Sequence, residues 1–361
     1  MNRFVSKIAV VLTVFVLIAG HAKAQFTTTF AKNVTPGQQN GLYYSLPQTM
    51  LKLDFIIEET QMERSPLSDY ASNYMEMADY VDYESTEYRL VDVKMSSIAT
   101  PDPNALFFVT FGAVRGSNKI QFDLLPNGII RCVGMGNGNE DVMDVVEYEI
   151  STPFVESNGS SNTGLMNLMT SGKSNAQLAK EVADKIEEIR KAKFNLVSGY
   201  YETAFNPEAL KMMYQELEKM EAEYTNLLLG NRISKTVVKS VYVIPNKEVT
   251  TQTVAKFSET EGLTVGTAGS GDPIAVQTLS LNTTAAINAP SASAVESMSY
   301  ENKVFYRIPE MANVKVTCGE ETLLEDRTTV NQYGVLLMAP LTNTRLTFDT
   351  KTGQIVNMRM Q

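Results

Sequence analysis

Three adjacent carboxylate pairs, Glu58-Glu59, Glu140-Asp141 and Glu320-Glu321, are the first residues on which a reaction could be built. Two carboxylates are enough for a glycosidase, one as acid and the other as base or nucleophile. Neighbours on a strand point to opposite faces, however, so adjacency alone does not make a dyad. Solvated turn or edge charges are the plainer reading. The thiols are Cys132 and Cys318. Two cysteines are too few for a zinc site by themselves. They could pair as a disulfide in an oxidising compartment, but each stands in an apolar strand-like run that equally suits two separate buried thiols. A serine–lysine hydrolase motif in a suitable context is missing.

Gly134, Gly136 and Gly138, with Asn137, Asn139, Glu140, Asp141 and Asp144 nearby, form a glycine-rich acidic stretch. A phosphate cradle there would need a helix N-terminus directly after it. A calcium loop would need oxygen ligands at regular EF-hand positions. Neither pattern is present, and an acidic hairpin loop fits better. No catalytic, cofactor-binding or metal-ligating residue is therefore assigned, and no cofactor is expected.

The sole histidine, His21, lies in an N-terminal segment with the form of a secretory signal. Arg3 and Lys7 supply its charged start, residues 8–19 its apolar centre, and Ala22-Lys23-Ala24 a small-residue cleavage site before Gln25. An apolar run of that length is too short to span a bilayer. Export of the chain is the expectation, with residues 1–24 removed. Loss of Arg3, Lys7 and Lys23 from 31 cations leaves 28 against 41 acids, a net charge of −13. Such a surface argues against nucleic acid and against electrostatic attachment to anionic lipid. A mature chain without histidine excludes histidine triads, histidine-ligated metals and imidazole proton shuttles.

The elements that would hold any site come next. Residues 175–230 carry the strongest helical periodicity. Ser174 and Gln177 have capping-box spacing. Leu178, Val182, Ile186 and Ile189 then fall on one face. Glu181 to Lys185 and Glu187 to Lys191 are spaced for i,i+4 ion pairs. After a break near Ser198-Gly199, Asn206-Pro207 restarts a helix, and Leu210, Met213, Leu217, Met220, Tyr224 and Leu227 form a second stripe that ends at Gly230. The stripes suit packing on each other and on a sheet, with docking of a partner helix as the functional alternative.

Elsewhere the pattern is strand and turn. Residues 25–40 read as a polar leader or edge segment, and residues 42–58 as a strand interrupted by Pro47. Residues 66–83 read as a short helix with Ser65 as cap. Its Tyr70, Tyr74, Tyr80 and Tyr83, with Met75 and Met77, are a candidate sugar-stacking surface or, more simply, sheet packing. Strands are expected at residues 88–95, 106–112, 119–124, 128–133 and 142–150, with a hairpin turn at Pro126-Asn127-Gly128. Further strands are expected at 236–244, 250–258, 273–281, 304–308, 314–318, 323–327, 334–338, 346–349 and 355–358. Residues 263–272 and 282–299 read as loops.

The fold class is thus α+β, mostly β: two antiparallel, sandwich-like β modules flanking a long antiparallel helical hairpin. The divisions are a signal at 1–24, an N-terminal β module with a short helix at 25–155, a linker at 156–173, the hairpin at 174–230 and a C-terminal β module at 231–361.

One internal echo joins the two β regions. Asn40-Gly41-Leu42-Tyr43-Tyr44-Ser45-Leu46-Pro47-Gln48 matches Asn302-Lys303-Val304-Phe305-Tyr306-Arg307-Ile308-Pro309-Glu310 in character, position by position. A strand–proline–strand unit in each half suggests related modules or equivalent edges. The same stretches carry a resemblance. Residues 42–51, Thr100-Pro101-Asp102-Pro103, residues 188–196 and residues 304–309 resemble an uncharacterised family of secreted Bacteroidota proteins, known only as a domain of unknown function. That resemblance implies a cell-envelope setting and brings no catalytic residues.

The expected function is a non-catalytic exported envelope protein, periplasmic or outer-membrane-associated, working as an interaction or assembly subunit with a protein partner. Binding would use strand edges near the proline-interrupted strands or a face of the hairpin. The alternative is a glycan-binding module or carboxylate-dependent glycosidase. A surface fibre subunit would need residues 25–40 as a donor strand.

Overall fold

The computed structural model describes residues 26–35, 37, 40–74, 80–112, 120–135, 172–198, 206–290, 295–296 and 298–360. Expectations that fall outside them concern the signal segment, Met75 and Met77, the loop at 136–141 with Glu140-Asp141, the strand at 142–150 and most of the linker.

Among the described residues the protein is mostly β, with strands in three antiparallel sheets and three α-helices. The first sheet contains β1 (Phe26–Phe30), β2 (Gly41–Glu63), β3 (Ser85–Phe111), β6 (Asn231–Val243) and β10 (Tyr300–Glu301), ordered β10-β1-β3-β2-β6. The second contains β7 (Thr251–Ser258), β8 (Gly262–Val265), β9 (Asp272–Ser280), β11 (Lys303–Cys318) and β12 (Glu321–Pro340), ordered β12-β11-β9-β7-β8. The third pairs β4 (Ile120–Leu124) and β5 (Ile130–Met135) with β13 (Thr344–Phe348) and β14 (Ile355–Met360), ordered β14-β13-β5-β4. Two of the sheets therefore mix strands from both sides of the helices. The division into β modules at 25–155 and 231–361 gives way to interleaved strands, because β6 adds to β2 and β13 adds to β5.

Several expected short strands are single long ones. β3 runs through Pro101 and Pro103, β11 through Pro309, and β12 joins the expected strands at 323–327 and 334–338. Residues 26–30 form a strand whose Phe26, Thr28 and Phe30 are buried, and part of the expected loop at 263–272 is β8. The turn at Pro126-Asn127-Gly128 is met, with Gly128 at positive φ and the Ile129 amide donating to Asn127 Oδ1.

Each long strand feeds two cores. Tyr44 and Leu46 of β2 pack with Phe107 and Phe305 in one cluster, while Leu51, Leu53, Phe55 and Ile57 of the same strand enter another with Val276 and Val316. β11 divides likewise, with Val304 and Phe305 in the first and Val314 and Val316 in the second. The rings of Phe107 and Phe305 stack at 4.4 Å, a geometry that adds about 0.5–1.5 kcal/mol to area burial. The Tyr44 hydroxyl is buried against them and accepts from the Phe305 amide at 3.0 Å.

The switch between cores falls at the two prolines of the echo. Registers shift between Ser45 and Pro47 in β2 and between Ile308 and Glu310 in β11. A proline removes a ladder donor, so each switch needs other partners. Arg307 fills that role at the first. Its Nη1 donates to the Pro47 carbonyl at 2.9 Å and its Nη2 to Asp102 Oδ2 at 2.7 Å, both groups buried. Asp102 is held in turn by the Asn104 amide at 2.9 Å. Opposite Pro309, residues 331–334 of β12 form a bulge, and Gly334 sits so close that a Cβ would lie 2.0 Å from the Ile308 carbonyl oxygen. From this bulge Gln332 pairs with both backbone groups of Thr49, accepting at 2.9 Å and donating at 3.0 Å, as a neighbouring strand would. Glu310 lies buried beside the second switch. Burial pushes its carboxyl up, but the hydroxyls and amides of Thr284 and Thr283 outweigh that and hold it below the usual carboxylate range.

Three helices complete the fold: α1 (Ala71–Tyr74), α2 (Asn175–Ser198) and α3 (Pro207–Leu229). α1, with a 3-10 turn before it at Ser68–Tyr70, is shorter than the helix expected over residues 66–83. Ser65 accepts from the Leu67 amide at 3.1 Å, a local cap close to the one expected. The capping box of α2 is present in both directions, from the Ser174 amide to Gln177 Oε1 at 3.1 Å and from the Gln177 amide to Ser174 Oγ at 3.4 Å. Asn206 caps α3 through the Glu208 amide at 2.7 Å. The stripe of α2 is buried as expected, whereas in α3 only Leu227 and Leu228 are buried. The pair Glu187–Lys191 forms, but Lys185 turns to Glu188 and Glu181 to Lys173, because those partners lie within reach at 2.8 and 2.6 Å. Leu178, Val182, Ile186, Leu227 and Leu228 pack with Leu67 and Ala71 in a third cluster.

Asp102→Ala should lower unfolding stability by about 3–5 kcal/mol, because it leaves Arg307 buried without its counter-charge. Urea denaturation measures this, and a loss below about 1 kcal/mol would contradict the role given to the pair. Glu310→Gln should cost about 1–3 kcal/mol at neutral pH, since an amide cannot accept from all four donors. The folded-state pKa of Glu310 is depressed, so its contribution is lost as pH falls through that value. The stabilities of wild type and variant should therefore converge in acid; a gap that stays constant with pH would refute the assignment.

Candidate functional site

β3 enters the structure along the ends of the second sheet. Between them lies an open groove of about 890 Å3. One wall is formed by residues 87–93 of β3, and the other by residues 257–259, Gly271, Asp272, Cys318 and residues 321–323, at the ends of β7, β9, β11 and β12. β3 is bulged here: Leu90 pairs with Ile57 and Asp92 with Ile56, which leaves Val91 unmatched and exposed. Bulges of this kind redirect a side chain and sharpen the local twist.

The outer edge of β3 at the groove is bare. β1 covers only residues 107–111, and among the described residues no strand pairs with the far side of residues 89–105. The Tyr88 amide donates to the Glu259 carbonyl at 2.7 Å, and the Val93 amide to the side chain of Asp92 at 2.8 Å. The other long strand of the same sheet is treated differently. β2 is covered by β6 over residues 51–63, by Gln332 at Thr49, and by the Gly128 carbonyl at Ser45.

Electrostatically the groove is acidic. Glu58, Glu87, Asp92, Glu259, Asp272 and Glu321 line it, with Arg89 as the cation among them. Arg89 is spent on Glu58, through Nε at 3.0 Å and Nη2 at 2.6 Å. That pair is solvent-exposed and worth at most about 1 kcal/mol. Burial pushes the Cys318 thiol up, and the nearby Asp272 and Glu321 carboxylates push it further. A thiol so placed is a poor nucleophile at neutral pH, because attack requires the thiolate.

The structure separates most of the candidate residues. Glu58 faces the groove, whereas its neighbour Glu59 is held by Lys235 at 2.8 Å, as strand alternation requires. Glu321 lines the groove, and Glu320 belongs to the exposed turn beside it. Glu58 and Glu321, distant in sequence, thus share one groove. Cys132 and Cys318 are free thiols: Cys132 is buried and accepts from Arg345 Nε at 3.2 Å, and Cys318 lies half-buried in the groove. Of the tyrosine cluster, Tyr70 and Tyr80 pack against the helices while Tyr74 and Tyr83 are exposed. Among the described residues, no group of His, Cys, Asp or Glu side chains is placed to hold a metal ion, and no helix is long and apolar enough to cross a membrane. The groove itself escapes sequence reading. Its six carboxylates come from five separate stretches, and the signal that could have hinted at it is the β3 run Arg89-Leu90-Val91-Asp92-Val93-Lys94, charged and apolar by turns.

Fold and groove define a mostly β protein whose long proline-bulged strands wall an acidic cleft. The chain belongs to the family described as Domain of unknown function (DUF4831), whose model matches residues 40–356. That span takes in both proline-interrupted strands and the whole groove. It agrees with the resemblance of residues 42–51, 188–196 and 304–309 to a domain of unknown function. No match is found among curated proteins or among solved structures.

Alkylation distinguishes the two thiols. In the folded protein Cys132 should resist iodoacetamide, and Cys318 should react slowly at neutral pH and faster in Glu321→Gln, which removes a charge that opposes the thiolate. Peptide mass spectrometry over a pH series reads both rates. Rapid neutral-pH labelling of Cys318, unchanged by the substitution, would refute its environment as described.

Proposed function

We propose that this protein is a non-catalytic subunit of the cell envelope, exported through its N-terminal signal and acting in the periplasm or at the outer membrane by binding another protein. The single observation behind this reading is the outer end of the helix pair. Near the third cluster, α2 and α3 are anchored by Leu178, Val182, Leu227 and Leu228. Farther out they hold each other through Arg190–Glu221 at 2.7 Å and Lys193–Glu221 at 3.0 Å. At that same end Phe194, Val197 and Met212 are 71%, 74% and 70% exposed. Read as a helical hairpin, α2 and α3 form an arm with an apolar tip. A helix the length of α2 extends about 36 Å. Large apolar side chains grouped at the end of such an arm suit a protein contact.

Export fits the charged, apolar and small-residue parts of residues 1–24, and the net acidity of the remainder suits a protein partner better than anionic lipid. The glycan reading draws less support, since two of its four tyrosines are taken up by helix packing.

The test is gentle extraction of the native envelope followed by affinity purification of a tagged chain, beside a Phe194→Ser/Val197→Ser variant of equal thermal stability. A stoichiometric envelope partner held by the wild type and lost from the variant is the expected result. Recovery of the wild type as a lone soluble protein would overturn the proposal, as would retention of an uncleaved chain in the cytoplasm.

A further inference from the structure

The groove wall has two properties that are seldom left together without purpose. It is a strand edge with no paired strand among the described residues, and it opens into a cleft rather than onto bulk solvent. A bare edge is a template for another strand, and proteins usually blunt it. This fold does so at β2, where β6, Gln332 and the Gly128 carbonyl take the edge in turn. At β6 the Lys239 ammonium reaches the Leu263 carbonyl of β8 at 3.0 Å. Among the described residues, β3 has along the cleft the Glu259 carbonyl at Tyr88, the short Asp92 side chain at Val93 and the bulge at Val91. Every second residue of a regular strand directs both its N–H and its C=O to one edge, so an incoming extended chain would find donors and acceptors on either side of the bulge at Val91, beyond the Tyr88 amide already given to Glu259.

We propose that the free edge of β3 and the acidic groove form a strand-addition site for an extended, lysine- or arginine-bearing segment of a partner protein. The inference rests on the reading of the chain as an interaction subunit and gives it a second, separate surface. Backbone pairing along residues 87–93 would supply the affinity common to strand addition, and side chains alternating into the cleft would supply the choice. That choice is set by charge. Six carboxylates face the cleft, and its cation, Arg89, is already engaged by Glu58. A basic segment gains from this field, whereas a second copy of this acidic chain is repelled by it. The bulge at Val91 presents one apolar side chain in the same wall, a foothold for an aliphatic residue between two cations.

The probe is a fluorescent alternating lysine–valine peptide, beside a peptide of the same charge in which alternate residues are proline and cannot pair. Fluorescence anisotropy at low and physiological salt should show binding of the first and not of the second. A Glu87→Lys/Glu321→Lys variant, both positions exposed, should lose about tenfold in affinity with its melting temperature unchanged. Hydrogen exchange should show new protection at residues 87–93. Equal binding of the proline peptide would reduce the site to general electrostatics and overturn the proposal. So would protection placed elsewhere, or sedimentation showing that the edge is closed by a second copy. If the variant still recovers the envelope partner through Phe194 and Val197 while the lysine–valine peptide fails to bind the wild type, this inference falls and the proposed function stands. If no envelope partner is recovered and the lysine–valine peptide does not bind, both fall.

Discussion

The contact between Arg307 and Asp102 is where the two halves of this fold meet. One guanidinium, carried by β11, ties the carbonyl of Pro47 in β2 to the carboxylate of Asp102 in β3. An arginine can do this because its planar fork offers several fixed donors at once, which a lysine cannot. The pair is buried, so each member depends on the other for compensation of its lost hydration. Its position matters as much as its energy. It sits where both long strands leave one hydrophobic cluster and enter the next, at the points where proline has broken the ladder.

The rest of the architecture follows from that switch. β2 and β11 could each have been two strands separated by a turn. They are continuous because the missing ladder bonds are replaced laterally, by Arg307 at Pro47, by Gln332 at Thr49, and by the threonines around Glu310 near Pro309. Continuity lets β3 follow β2 along its whole length, from Ser85 opposite Met62 to Thr110 opposite Gly41. β3 outruns the strands available to cover its other side. The bare edge at residues 87–93 is thus a geometric result of long strands, and the ends of the second sheet turn that edge into a groove.

Much of this was legible in the sequence where the cause is local. The echo between residues 40–48 and 302–310 marks both switch strands, and the prolines mark their bulges. The caps Ser174, Gln177 and Asn206 marked the helix starts, because capping depends on residues a few positions apart. What was illegible depends on distant partners. Pro309 looked like a strand end and Pro101 fell in a gap between two expected strands, since nothing nearby reveals Gly334 or Arg307 waiting to restore the pairing. The pairing of β6 with β2 and of β13 with β5 interleaves what read as separate modules. Strand character shows in a window of residues, whereas a strand's neighbour does not. Phe26 and Phe30 were hidden in the same way, their burial supplied by β3, β11 and Phe305 rather than by their own polar surroundings.

The candidate site belongs wholly to the second kind. Its carboxylates are unremarkable singly, and Glu58 with Glu321 becomes a pair only when β2 and β12 are placed. Adjacent acids drew notice in the sequence for the wrong reason: strand alternation sends Glu58 and Glu59 to opposite faces, so the meaningful grouping crosses between sheets. The resulting cleft combines acidity with a thiol whose proton is held more tightly than usual, a setting that disfavours nucleophilic chemistry and favours recognition of positive charge. A strand edge left uncovered among the described residues, inside a cleft of net negative charge, selects its guest twice. The backbone asks for an extended chain, and the walls ask for a basic one.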